Sequence, residues 1–153
     1  MRSLNGFSLI ELVVVILILG ILAVVALPRF VNLSTESRIA ALEGLRAAVT
    51  STSEHVSIAC KLTASCNNTL RGDSIFLPAY NQNVRIVWGY ADAGLLSRDD
   101  EIDDLVESDG FDITAPNGAT VRWSFPDTTN CYVQYAQPPS NGTPTLSMVT
   151  SGC

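Results

Sequence analysis

The stretch Gly6-Phe7-Ser8-Leu9-Ile10-Glu11-Leu12, with the apolar run that follows it to Leu27, decides the fold of this chain. The sixteen residues from Leu12 to Leu27 carry no charge and no side-chain hydrogen-bonding group. Extended back to Phe7, the stretch is about 30 Å long as a helix, the thickness of a membrane's hydrocarbon core. Glu11 is the exception, and an ionised carboxylate there costs at least about 2.5 kcal/mol in a bilayer. The sequence therefore requires a partner for the Glu11 charge.

The residues around the apolar run do not follow the order of an ordinary secretory signal peptide. Such a peptide has a basic start, a short apolar middle and then a small-residue cleavage site. Here the head is residues 1–6 with a single basic residue, Arg2, and Pro28-Arg29-Phe30 follows the run in place of a cleavage site. The plausible cut lies after Gly6, before the run, so the run would be kept.

This order resembles the class III signal of type IV pilins and related prepilins, in which G-F-[ST]-L-I-E precedes a long apolar run. The resemblance implies that prepilin peptidase cuts after Gly6, and that Phe7 becomes an N-methylated N-terminus. It also implies that Glu11 meets the Phe7 amine of a neighbouring subunit. A carboxylate and an ammonium group can be each other's counter-ion where water is absent, and removing one member costs about 3–5 kcal/mol. Before assembly the run would hold the subunit in the inner membrane, with Arg2 on the cytoplasmic side.

The charge and the side-chain inventory exclude several functions. The net charge is −6, whereas a nucleic-acid footprint is basic and clustered. The single histidine, His55, allows no Ser/His/Asp or Cys/His arrangement, so we predict neither an enzyme nor a cofactor.

The chain contains four cysteines, Cys60, Cys66, Cys131 and Cys153, all downstream of the apolar run. An even number in this position predicts disulfides formed in an oxidising compartment, with three possible connectivities. Their spacing contains no C-x-x-C pair, which argues against zinc.

Pro28 ends the apolar run, and we expect it to kink or locally break the helix because it lacks an amide donor. Its position also resembles the proline at which many type IV pilins bend on assembly. Helical periodicity resumes at Val31 and should continue to about Ile58. The apolar stripe of this second half is Ile39, Leu42, Leu45, Val49, Val56 and Ala59.

Beyond the helix, four segments alternate apolar and polar residues as strands do, namely 84–90, 120–125, 131–136 and 145–150. We predict that they form one antiparallel sheet on the helix stripe, with both tryptophans in the core and residues 60–83 as a loop. A hairpin with Ala136 opposite Thr145 would bring Cys131 close to Cys153. Cys60 and Cys66 would then pair with each other.

Residues 99–109 contain seven acidic side chains around Ile102, Leu105 and Val106. The spacing predicts a short helix with one apolar face. Clustered carboxylates also suit calcium, but the positions that an EF-hand loop needs as Gly and Glu hold Asp104 and Gly110. A solvated acidic face is the favoured interpretation, and no metal site is predicted.

The fold expected from all these features is α+β, the pilin fold. Residues 1–6 would be a cleaved leader, 7–30 an apolar transmembrane and polymerisation half-helix, and 31–153 a globular head. The segments 27–33, 88–92 and 131–153 are similar to the mannose-sensitive haemagglutinin branch of the type IVa pilins.

The function that this resemblance implies is a filament subunit on the bacterial surface, used for attachment, biofilm formation and motility. Its partners would be copies of itself, prepilin peptidase and the inner-membrane assembly machinery. The alternatives are a pseudopilin of a type II secretion system and a membrane-tethered binding module that never polymerises.

Overall fold

The computed structural model describes residues 7–94 and 100–153, and for residues 27–32 it describes the backbone only. The predicted leader with Gly6, and Asp99 at the start of the acidic segment, lie outside the described residues. The elements in chain order are α1 (Leu9–Leu62), β1 (Arg71–Leu77), β2 (Gln82–Val87), β3 (Tyr90–Ala91), the 3-10 helix η1 (Ile102–Leu105), β4 (Asp112–Asn117), β5 (Thr120–Ser124), β6 (Tyr132–Ala136) and β7 (Thr145–Val149). The predicted α+β class is confirmed.

The chain divides into two compact units, residues 1–37 and residues 38–153, and α1 contributes to both. The first unit holds the apolar run and the second is the globular head. The division after residue 30 stays a prediction.

The backbone of α1 is helical through Pro28, so the local break predicted there is absent. A proline inside a helix removes one hydrogen bond and crowds the carbonyl four residues earlier, at a cost of about 3 kcal/mol or more. The predicted kink at this residue stays a prediction.

In the head, α1 buries the stripe that the periodicity predicts. Leu42, Val49 and Val56 are fully buried, and Leu45 is nearly so. The helix continues past the expected end at Ile58, to Leu62, where the loop closed by Cys66 begins.

Among the described residues, the strands form two antiparallel sheets rather than the single sheet predicted. One has the order β1-β2-β3 and the other the order β4-β5-β6-β7. Strand β1 lies inside the segment predicted as a loop, residues 60–83. Its apolar residues Ile75 and Leu77 are buried against the core, but Gly72 and Asp73 before them conceal the alternation.

The prediction of one continuous strand over residues 84–90 was wrong. Strand β2 ends at Val87, and Trp88 and Gly89 form a tight turn with φ of 52° and 85°. Positive φ at both central residues is the type I′ pattern of a two-residue hairpin turn, and glycine adopts it without cost. Because β3 resumes at Tyr90, the alternation of side chains continues through the turn and hides it.

The β6–β7 hairpin has the predicted register, with Ala136 opposite Thr145. The structure joins Cys131 to Cys153, with Cα atoms 4.9 Å apart, and Cys60 to Cys66, with Cα atoms 5.2 Å apart. Both distances lie in the normal range for disulfides, and this is the pairing that the hairpin argument predicts.

The core of the head is centred on two aromatic side chains, Trp123 and Tyr135, neither of which is exposed. The Tyr135 hydroxyl donates a hydrogen bond of 2.8 Å to the Ala91 carbonyl, which links the two sheets. Burial raises the pKa of Tyr135 well above its usual range. Trp123 is thus a core residue as predicted, whereas Trp88 lies half-buried in a turn.

Candidate assembly site

The first part of α1 presents an apolar surface that contains one charged residue, Glu11. Its residues Leu9–Ala26 have a mean hydropathy of 3.2, and none of them is buried. By length and composition this helix can cross a membrane. An exposed apolar surface of this length is costly in water, so it must lie in lipid or against other protein.

Glu11 lies near the start of this surface and is exposed. Among the described residues its carboxylate has no salt-bridge partner. Phe7, four residues earlier and just ahead of the helix, is 80% exposed. A subunit cut before Phe7 would therefore carry an exposed ammonium group about one helical turn from an exposed carboxylate.

Ser8 caps the start of α1, a role that the sequence argument missed. Its hydroxyl oxygen accepts a hydrogen bond of 3.3 Å from the Glu11 amide. The signal was present, because Ser8-Leu9-Ile10-Glu11 has the S-x-x-E pattern of a capping box. The negative charge of a glutamate at this helix position also interacts favourably with the positive end of the helix dipole. Glu11 therefore stabilises the first turn as well as carrying a charge for a partner.

The other predicted site residues are Gly6, Pro28 and the four cysteines. The backbone at Pro28 is described in α1, whereas Gly6 lies outside the described residues. The four cysteines belong to the head and form its two disulfides. The processing roles of Gly6 and Phe7, and the assembly roles of Glu11 and Pro28, stay predictions.

The acidic segment contains the 3-10 helix η1, whose Ile102 and Leu105 are buried. Glu101 and Asp104 cap this helix, because the carboxylate of each accepts a hydrogen bond from the backbone amide of the other. Burial, with the nearby Asp104 and Glu101 charges, raises the pKa of Asp103 to about 6. Across the described residues, no group of three or more His, Cys, Asp or Glu side chains is arranged to hold a metal ion.

Comparison with known proteins agrees with the N-terminal geometry. Residues 1–27 match the prokaryotic N-terminal methylation motif. The chain is 40% identical over 63 residues to the major component PilA5 of the type IV narrow pilus of Thermus thermophilus, which covers 41% of this chain and 54% of that protein. The chain thus spans about half the length of the curated relative it matches. No solved structure matches it significantly.

The motif and the relative confirm the resemblance to a type IV pilin. Together with the exposed apolar helix, they indicate the localisation of such a protein. The precursor is anchored in the membrane, and the subunit then lies in the surface pilus.

Proposed function

We propose that this chain is a structural subunit that polymerises through the apolar half of α1 into a type IV pilus. The observation that carries the proposal is the exposed Glu11 carboxylate within a helical surface that is otherwise entirely apolar and unburied. A membrane anchor has no use for that charge. A helical polymer has, because the carboxylate can select the correct neighbour.

The proposed contact joins Glu11 of one subunit to the Phe7 amine of the next. In a filament core without water, each charge would be uncompensated if the other were absent, at a cost of about 3–5 kcal/mol. The pair therefore fixes the register of two helices whose apolar surfaces slide easily. Because the contact is head-to-tail and does not close on itself, it generates a fibre.

Processing is the step that creates the Phe7 amine. We propose that prepilin peptidase cuts between Gly6 and Phe7 and that Phe7 is then N-methylated. Gly6→Val should accumulate uncleaved precursor, because a branched side chain beside the scissile bond would obstruct the peptidase. Mass spectrometry of the wild-type mature chain should begin at methylated Phe7, and a different first residue would refute this assignment.

The finer functions follow from the resemblance alone. We propose attachment and biofilm formation as the uses of the filament, with motility where the filament retracts. The inner-membrane pilus machinery would extract the subunit from the bilayer. Membership of the mannose-sensitive haemagglutinin branch stays a prediction.

A pseudopilin of a type II secretion system is the second candidate. It would share the helix and the Glu11 contact, but major pseudopilins usually depend on a calcium loop and lack a disulfide at the C-terminus. The bridge from Cys131 to Cys153 therefore favours a pilin. A tethered binding module of another class would leave Glu11 without a role.

Substitution of Glu11 tests the proposal. Glu11→Ala should give a processed subunit that stays in the inner membrane and forms few or no surface filaments. Glu36→Ala is a matched control, because Glu36 is also an exposed glutamate of α1 but lies beyond the apolar run. Normal filament yield from Glu11→Ala, measured by shearing and electron microscopy, would refute the proposed role.

A further inference from the structure

The head contains a cavity of about 180 Å³ between the buried half of α1 and the edge strand β7. It is lined by Thr50, Ser53, Glu54, Tyr90, Thr143, Pro144 and Leu146. None of these residues takes part in the proposed polymerisation contact, so the cavity needs its own explanation.

A buried hydroxyl group lies in the wall of the cavity. Ser53 is 2% exposed, and its hydroxyl makes no hydrogen bond of standard geometry among the described residues, although it interacts with the Tyr135 hydroxyl. Because a hydroxyl group has one proton and two lone pairs, Ser53 can still accept a hydrogen bond. A ligand that donates to Ser53 would satisfy a buried acceptor that is costly to leave unpaired.

The cavity is rich in hydrogen-bond acceptors. Thr50 donates its only hydroxyl proton to the Arg46 carbonyl at 2.8 Å, so towards the cavity it offers lone pairs alone. Glu54 adds a carboxylate that has no salt-bridge partner among the described residues. No Lys, Arg or His is present among the described residues that line the cavity. These groups favour a cation that donates several hydrogen bonds.

The remaining walls indicate which cation fits. Pro144 and Leu146 provide an apolar surface, and the ring of Tyr90 can attract a positive charge. A carboxylate among hydroxyl groups suits the three diverging donors of an ammonium group, whereas a flat guanidinium fork needs bidentate partners. We propose that this cavity binds a primary ammonium group carried on a short alkyl stem, with Glu54 as its counter-ion and Ser53 as an acceptor.

Two sources can supply this group. One is a free alkylamine. The other is Lys61 of a second copy, the single lysine in the sequence, which is exposed near the end of α1. Only this second source depends on the proposed polymerisation.

The first experiment uses the full chain dispersed in detergent, with n-butylammonium as the probe and saturation-transfer NMR as the readout. We expect saturable binding to the wild type and to Glu43→Gln, whose position lines a neighbouring depression but not this cavity. Glu54→Gln should weaken binding about tenfold or more, because it removes a charge-assisted hydrogen bond. Comparing variants in the same micelles cancels partition of the probe into detergent.

1-Butanol is the neutral control, since it has the same stem without the charge. Equal binding of butanol and butylammonium, equal binding to wild type and Glu54→Gln, or no saturable binding at all would overturn the proposal. This result does not depend on filaments, so it is separate from any failure of the proposed function.

The second experiment identifies the source of the ammonium group. Sheared filaments are treated with a carbodiimide, which joins a carboxylate to a neighbouring amine by an amide bond with loss of water. A Glu54–Lys61 peptide that disappears in Lys61→Arg assigns the group to a second copy. Its absence, with butylammonium binding intact, assigns the site to a free amine, and either result retains the site.

Discussion

Loss of the Cys131–Cys153 bridge should destabilise the head more than loss of the Cys60–Cys66 bridge. The first closes a sequence separation of 22 residues and the second a separation of 6. In the chain-entropy account, closures of these lengths stabilise by about 3 and about 2 kcal/mol. Loop length alone therefore predicts a difference of about 1 kcal/mol.

Two further contacts depend on the longer bridge. The Arg38 side chain donates a hydrogen bond of 3.1 Å to the Cys153 backbone oxygen, and the Gly152 amide donates one of 3.0 Å to the Asn130 carbonyl. Each such bond contributes about 0.5–1.5 kcal/mol, more when one group is charged. If the end of the segment detaches, Cys153→Ser should cost about 4–6 kcal/mol, against about 2 kcal/mol for Cys66→Ser.

Urea unfolding of the full chain in detergent measures both costs, with the fluorescence of buried Trp123 as the signal. Non-reducing peptide mapping should first show only the Cys60–Cys66 and Cys131–Cys153 peptides in the wild type. Arg38→Ala with both bridges intact should cost about 1–2 kcal/mol. Equal losses in Cys153→Ser and Cys66→Ser, or a mixed pair such as Cys60–Cys153, would refute the argument.

Three positions in the head give further predictions. Burial, and then the Asp104 charge, raise the pKa of Asp103 from 3.8 to about 6. Because the folded state holds this proton more tightly, the contribution of Asp103 to stability should be fully present below about pH 4 and be lost as the pH rises through about 6. Asp103→Asn should flatten that decline in urea midpoints measured across this range. A Cβ at Gly152 would lie 1.6 Å from the Thr129 carbonyl oxygen, so Gly152→Ala should cost about 1–3 kcal/mol and hinder bridge closure, seen as free thiol. Gly44→Ala should instead stabilise by about 1 kcal/mol in urea, because nothing lies within 4 Å of its Cβ and alanine favours the helix.

The sequence predicted best those parts whose pattern is long or whose chemistry is exceptional. The periodicity of α1 identified Leu42, Val49 and Val56 as its buried face because helical spacing repeats over many turns. Glu11 was identified because a carboxylate in an apolar run has a large physical cost. The register of β6 and β7 followed from turn composition and from the cysteine positions.

Short and interrupted patterns were predicted poorly. Strand β1 begins with polar residues and glycine, so that only Ile75 and Leu77 mark its buried face. The turn at Trp88 and Gly89 preserves the alternation of its neighbours, and an aromatic residue at positive φ is rare. The cavity beside Ser53 forms where α1 lies against β7. These two elements are far apart in the sequence, so no local sequence pattern indicates that they meet.

The proposed assembly is tested most directly by a cryo-EM structure of filaments sheared from the parent cell, at a resolution that shows side chains. We predict that this chain forms the filament core through the apolar half of α1. The Glu11 carboxylate should lie within about 4 Å of the Phe7 amine of a neighbouring subunit, the distance of an ion pair. A filament in which Glu11 faces solvent, or in which a Gly6 residue still precedes Phe7, would contradict the proposed assembly.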